Sequence, residues 1–258
     1  MAARQNKLAY ITGSSRGIGG ALVDLLLNQD YQIIGMVRTP VPERVNFMSI
    51  SIDLNDVAAV QNFQFTEVSD EVLLINNAGI IGEVSPVGQV SDSSIQKVIN
   101  VNTIAPQILM NKFLKTYSKT VKKGHIINIS SGAGKQPIDA WASYCASKAA
   151  LDLFSRTTGE EFEARGIKNW HVHAIAPGVV DTQMQAEIRK ANPANFKLLD
   201  RFVSLKNDNE LTDPKTVAEK IFKVIKYPLK FPETVISVRV FLFIRLSILA
   251  IVHYCVPF

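Results

Sequence analysis

Seven short runs of apolar and β-branched residues, interleaved with five stretches of helical patterning, restrict this chain to very few folds. The runs fall near 7–12, 31–37, 46–52, 71–76, 124–129, 169–175 and 233–239, and the helical stretches near 17–28, 55–63, 92–117, 139–164 and 214–226. Such alternation predicts an α/β chain with a doubly wound parallel sheet. With 258 residues and no break in composition, it reads as one domain with a well-buried core. The link Thr39-Pro-Val-Pro-Glu-Arg-Val45 is short and carries two prolines, so an irregular crossover is expected there in place of a helix.

Between the first run and the first helix stands Gly13-Ser14-Ser15-Arg16-Gly17-Ile18-Gly19. A strand, a glycine turn and a helix in that order can cradle a dinucleotide pyrophosphate, because glycine lets the backbone approach and the helix start offers free N–H groups. The spacing, Gly-x-x-x-Gly-x-Gly, also suits an ordinary strand-to-helix turn. Farther on, Tyr144 and Lys148 are four residues apart in Tyr-Cys-Ala-Ser-Lys, with Ser131 thirteen positions upstream. Residues i and i+4 share a helix face, so the Lys148 ammonium can lie beside the phenol. A tyrosine titrates at about 10 in water, and a neighbouring cation lowers that value. Tyr-x-x-x-Lys alone is common by chance.

Taken together, the glycine turn, Asn76-Asn77-Ala78-Gly79, Asn102, Ser131, Tyr144, Lys148 and Pro177-Gly178-Val179-Val180-Asp181-Thr182 resemble the short-chain dehydrogenase/reductase family in order and spacing over about residues 7–239. The longer strings Asn128–Lys135, Trp141–Ala150 and Ala176–Gln185 are similar to the branch holding sepiapterin reductases and bacterial benzil reductases. The resemblance implies a Rossmann-type sheet and an NADP-dependent oxidoreductase acting on carbonyl groups, with a catalytic domain over 1–239. Tyr144 would be the general acid, and Ser131 would hold the carbonyl oxygen and favour its developing charge. Lys148 would lower the Tyr144 pKa and bind the nicotinamide ribose. Asn102 would hold a water of a proton relay.

For the cofactor, the resemblance implies contacts from Gly13, Ser15, Arg16, Gly17, Ile18 and Gly19, from Asn77, Ala78 and Gly79, and from Tyr144 and Lys148. Pro177, Gly178, the Val180 backbone and Thr182 would meet the carboxamide end. Asp53 matches an adenine-contacting aspartate, although capping the next helix suits it equally, and Thr182 has the same alternative. Asn77-Ala78-Gly79 is also an ordinary tight turn. Gly35-Met-Val-Arg38-Thr39 contains no carboxylate to hold a ribose 2′-hydroxyl, whereas Arg38 and Arg16 can flank a 2′-phosphate. The expectation is NADP(H), the other reading of both arginines being solvated charge.

The implied substrate is a small carbonyl compound, a ketone or vicinal diketone. Trp141, Met184 and Phe202 can form an apolar pocket for a flat molecule, Trp141 suiting core packing as well. Residues 183–209 fall where the family places a substrate lid, and read otherwise as a surface helical pair. A pterin substrate is disfavoured, because the acidic residue near the C-terminus of sepiapterin reductases has no counterpart after Arg239. A non-catalytic NADP-sensing protein of the same fold is the remaining alternative, and Ser131, Tyr144 and Lys148 together argue against it.

The 28 Lys and Arg against 23 Asp and Glu give a charge of +5, spread without clusters, which argues against nucleic-acid binding. Cys145 and Cys255 make no disulfide framework, His125, His171, His173 and His253 have no ligand spacing, and no metal site is expected. Met1–Lys7 lacks the apolar stretch of a secretory signal, so a cytoplasmic setting is expected. The apolar tail 240–258 has no counterpart in the family. Its nineteen residues include Arg245, against the ~20 apolar residues of a bilayer span, so self-association is expected ahead of membrane contact.

Overall fold

The computed structural model describes residues 6–239; the expectations for the tail 240–258 lie outside them. Seven strands form one sheet in the order β3-β2-β1-β4-β5-β6-β7. They are β1 (Lys7–Thr12), β2 (Tyr31–Val37), β3 (Phe47–Ser51), β4 (Glu71–Asn76), β5 (Lys123–Ile129), β6 (Trp170–Ala176) and β7 (Val235–Ser237). Every pairing is parallel. Such strands are covered on both faces, which is why these segments read as continuous apolar runs. Along β1, Leu8 and Tyr10 join one core while Ala9 and Ile11 join the other, and β4 divides Val72 and Leu74 from Leu73 and Ile75 in the same way.

One core lies under α1 (Gly17–Leu27) and α8 (Pro214–Lys226), with Leu22, Val23, Leu26, Val217, Ile221 and Val224 fully buried. The opposite core lies under α2 (Val57–Asn62), α4 (Ala105–Tyr117) and α5 (Ala142–Ala164). Tyr10, Phe65, Phe113 and Tyr117 meet there edge-on with centroids 4.7 to 6.2 Å apart. Burying one such ring stabilises the fold by about 1.5–3 kcal/mol.

Two expectations are corrected. The single helix over 92–117 is α3 (Asp92–Ile99) and α4 joined by a π turn, Asn100–Ile104. Pro106 has no N–H to give the Asn102 carbonyl, and the Ala105 N–H reaches back five residues to Asn100. The last strand is three residues long, because its pairing with β6 stops at Ala176–Ser237. The link after β2 is irregular, as its prolines require.

The glycine turn is closed by a close approach. A Cβ on Gly19 would fall on the Gly13 carbonyl oxygen and 2.5 Å from Asn77 Nδ2. Glycine to alanine inside a helix ordinarily stabilises by about 1 kcal/mol, but forcing a methyl group into a filled site costs about 1–3 kcal/mol. Gly19→Ala should therefore destabilise the protein, which urea denaturation measures directly.

His125 and His173 lie on the face under α8, away from the strands' C-terminal ends. His125 Nε2 is 2.8 Å from His173 Nδ1, and His173 Nε2 is 2.9 Å from the Phe231 carbonyl. A carbonyl only accepts, so His173 donates from Nε2 and accepts at Nδ1 from His125, both rings being neutral. Burial above all holds both pKa values below the ordinary one, well below it for His125, where the neighbouring His173, His171 and Lys123 act in the same direction. An unfolded histidine takes up a proton near pH ~6.5. The stability held by the neutral pair is thus present above that pH and is lost as pH falls towards the lower folded values. Urea denaturation should show stability declining from about pH 7 to about pH 5, less steeply in His125→Leu.

Candidate active site

A parallel sheet that reverses its winding leaves a crevice outside the C-terminal ends of its strands. Here β1 and β4 are neighbours at that point, and a cleft of about 1710 Å³ opens above them. It is lined by the glycine turn, by Arg38, Asp53, Asn77–Gly79, Ser131, Tyr144 and Lys148, and by Pro177, Gly178, Val180 and Thr182. Of the residues singled out in the sequence, Asn102 and Gly19 alone are absent from the lining, Asn102 being fully buried behind it.

At the glycine turn, α1 begins at Arg16 with no side-chain cap and no acidic residue in its first turn. Its first N–H groups are therefore directed at whatever fills the cleft. Gly17 has φ +56, a conformation glycine adopts without strain, and a Cβ there would meet Thr182 Cγ2 at 3.3 Å. These features fit the pyrophosphate of a dinucleotide. Ser15, Arg16 and Arg38 are exposed at the rim, and among the described residues neither arginine makes an ion pair within 4 Å.

Several nearby side chains shape the cleft from within. Asn77 Nδ2 donates to the Thr12 and Gly13 carbonyls at 3.0 Å each, while the Asn77 and Ala78 N–H groups donate to Thr12 Oγ1, also at 3.0 Å. The Asn77 amide nitrogen thus ties β4 to the glycine turn. Asp53 accepts from the Asn55 N–H at 2.9 Å, and the cap of α2 is Asp56, whose carboxylate accepts from Ala59 at 3.0 Å. Capping is therefore not the role of Asp53. Thr182 stands at the start of α6 (Gln183–Ile188) without capping it. A bridge between Val180 and Thr212 uses the Val179 carbonyl and the Asp181 N–H, so the amide groups of Val180 itself take no part in it.

The reacting end is assembled by α5 and the turn after β5. Tyr144 and Lys148 are both buried and line the cleft together with Ser131, whose oxygen accepts from the Ala133 N–H at 3.2 Å. Lys148 Nζ donates to the Ile129 carbonyl at 2.8 Å and lies 5.7 Å from the Tyr144 ring centroid. Gly79 leaves room above, since a Cβ on it would stand 3.4 Å from Asn102 Oδ1 and 3.5 Å from Lys148 Nζ. Burial pushes the Tyr144 phenol up to about 12, with the neighbouring Ser131 hydroxyl opposing, and burial brings Lys148 down to about 8. In the protein alone desolvation is the largest influence on the phenol, and the Lys148 ammonium is turned towards a carbonyl.

Asn102 is held in place by its side chain. Its Oδ1 accepts from the Ile80 N–H at 2.9 Å, and its Nδ2 donates to the Ile80 carbonyl at 2.8 Å and to Ser147 Oγ at 3.1 Å. The side chain is fully occupied. Its main-chain carbonyl, which Pro106 deprives of an α-helical donor, is the polar group left to it.

The far side of the cleft is apolar. Trp141 stacks on Phe196 at 22° and 5.7 Å, lies 5.3 Å from Phe202 and meets Tyr144 edge-on at 5.7 Å. It both packs in a core and lines the cleft, with Met184, Ile188, Leu198 and Leu205 around it. The segment after Thr182 forms α6 and α7 (Leu199–Asn207), whose apolar faces close this side. Sequence reasoning missed Ser130 and Asp152, joined at 2.5 Å beneath Ser131. Helical spacing was the signal available, since Asp152 follows Lys148 by four residues.

The family model described as short chain dehydrogenase matches residues 7–193. Among relatives, a benzil reductase ((S)-benzoin forming) of Bacillus cereus is 34% identical, covering 88% of this chain and 96% of its own. A benzil reductase of Bacillus subtilis is 32% identical, with 85% and 93% covered. Among solved structures, a short chain dehydrogenase/reductase from Saccharomyces cerevisiae superposes with a TM-score of 0.76 at 27% identity, covering 90% of this chain and 96% of that one. A 4-hydroxyisoleucine dehydrogenase complexed with NADH gives 0.73 at 27% identity over the same shares. With the family model covering most of the chain and the site residues converging on one cleft, this chain belongs to the short-chain dehydrogenase/reductase family, in the branch of the benzil reductases.

Proposed function

We propose that the protein is an NADPH-dependent carbonyl reductase acting on a ketone or vicinal diketone, with residues 1–239 as its catalytic unit. The observation that carries this reading is the convergence of Ser131, Tyr144 and Lys148 on the buried end of a cleft whose other end fits a dinucleotide. When bound, the nicotinamide supplies the hydride. Ser131 and Tyr144 hold the carbonyl oxygen between two hydroxyls, and Tyr144 gives its proton to that oxygen as negative charge develops.

Burial serves this role. A phenol at about 12 keeps its proton at neutral pH, and its release is favoured once the oxygen it faces turns basic. Lys148 at about 8 is cationic at neutral pH and stabilises the resulting phenolate, while also reaching ribose hydroxyls past Gly79. A water on the Asn102 carbonyl returns the proton to the phenol. Support for a flat substrate comes from the Trp141, Phe202 and Met184 wall and from the similarity to benzil reductases. Support for NADP(H) comes from Arg16 and Arg38 at the rim and from the lack of a carboxylate over residues 35–39 at the end of β2. The reading includes a cytoplasmic setting and self-association, for which Leu153 on α5 and Leu229 beside β7 are exposed apolar side chains.

Tyr144→Phe should lower benzil reduction by about 10²–10⁴-fold while NADPH still titrates in with nearly unchanged affinity. A variant that keeps more than about a tenth of the rate would remove Tyr144 from the mechanism. Arg38→Asp exchanges a phosphate partner for a group that accepts from a ribose hydroxyl, so kcat/KM should shift from NADPH towards NADH. An unchanged ratio would leave Arg38 a bystander.

A further inference from the structure

Asp152 has no part in the reaction described above, yet it is 1% exposed. It stands one turn beyond Lys148 on α5, and helix side chains lean towards the N-terminus, so its carboxylate lies over the Lys148 turn. Oδ1 accepts from Ser130 Oγ at 2.5 Å, and Ser130 immediately precedes Ser131. Oδ2 is buried with no hydrogen-bond partner. A Cβ on Gly134 would stand 2.9 Å from that oxygen and 2.9 Å from the Lys148 backbone, so the turn after Ser131 is pressed onto this part of the helix.

A buried carboxylate left half unpaired is costly where an apolar side chain would pack. Burial raises the pKa of the Asp152 carboxyl, and the Ser130 bond and the cations that face it act the other way: Lys135 from the turn after Ser131, and Arg156 and Lys148 from α5. Lys148 faces Tyr144 and Asp152 on its own helix, and the uncharged Asn102, Gly79 and Ile129 carbonyl from the other side. Lys148 and Asp152 make no ion pair within 4 Å, and lysine before acid at i, i+4 is the poorer order for one. Their coupling runs through the low-dielectric interior.

We propose, resting on the roles given above to Ser131 and Lys148, that Asp152 is a positioning residue: through Ser130 it ties the Ser131 turn to α5, and as the buried anion behind Lys148 it keeps the ammonium charged. Burial lowers Lys148 to about 8, and the Asp152 charge acts the other way. Removing that charge while keeping the shape lets Lys148 lose its proton at lower pH. Reduction then fails earlier as pH rises, and recovers at acid pH, where Lys148 is charged in either protein.

The test uses the full-length protein with ¹³Cε-labelled lysine, the Lys148 resonance being assigned through Lys148→Arg. In Asp152→Asn, which still accepts from Ser130, the Lys148 midpoint should fall by about half a unit or more. Asp152→Glu should restore it. Ser130→Ala cuts the tie and keeps the charge, so it should lower kcat without moving the midpoint. An unchanged midpoint in folded Asp152→Asn overturns the electrostatic role, and an undiminished kcat in Ser130→Ala overturns the tie. The resonance titrates whether or not the enzyme turns over, so a midpoint that moves while the pH profile of kcat/KM stays fixed counts against the role of Lys148 and leaves that of Asp152 standing.

Discussion

A parallel strand can be reached only by a crossover, and in this chain every pairing in the sheet is parallel. The crossovers cover both faces, exclude water from both sides of the strands and leave only the two ends of the sheet free for polar loops. All seven C-terminal ends then point the same way, so chemistry carried by loops after β1, β2, β4, β5 and β6 collects at one edge. The glycine turn, Arg38, Asn77–Gly79, Ser131 and Pro177–Thr182 share a cleft for that reason. They are more than a hundred and sixty residues apart in sequence at the extremes, and connection topology alone brings them together.

At that edge, buried polar side chains fix the strand ends against one another. Asn76 donates to Asn128 at 2.8 Å, and Asn128 to Ser155 at 2.8 Å, which crosses from β4 through β5 to α5. Thr12, Asn77 and Ala78 do the same between β1 and β4. Inside an apolar surrounding each unpaired group would cost about 1–3 kcal/mol, so such strings admit one register only. The consequence for the site is rigidity: Ser131 and Lys148 both follow from positions pinned by these bonds.

The sequence was most legible where a pattern is local. Helix and strand periodicity placed the α/β alternation, with β1, β2 and β4 to the residue, and the prolines of 39–45 foretold the irregular link. It was less legible where one atom's partner decides the outcome. Asn77 looks like a cofactor contact in a motif, and its amide is bonded to Thr12 and Gly13. Lys148 looks like a cation beside a phenol at i, i+4, and its ammonium is bonded to the Ile129 carbonyl. Residue spacing gives proximity, whereas the protonation balance depends on burial, which is a property of the whole fold. The π turn before Pro106 was hidden similarly, because a proline two residues into a helix is ordinarily harmless.

Burial and charge therefore oppose each other across this reacting centre in a useful sense. Desolvation penalises whichever form is charged, so the phenol keeps its proton at neutral pH while the ammonium, brought down to about 8, stays charged with little in reserve. A proton leaves Tyr144 readily only when charge appears on the atom it faces, and that occurs only with a polarised oxygen against Ser131. A site arranged in this manner holds its proton at rest and responds strongly when negative charge develops beside a cation already in place, which is the differential stabilisation that carbonyl reduction requires.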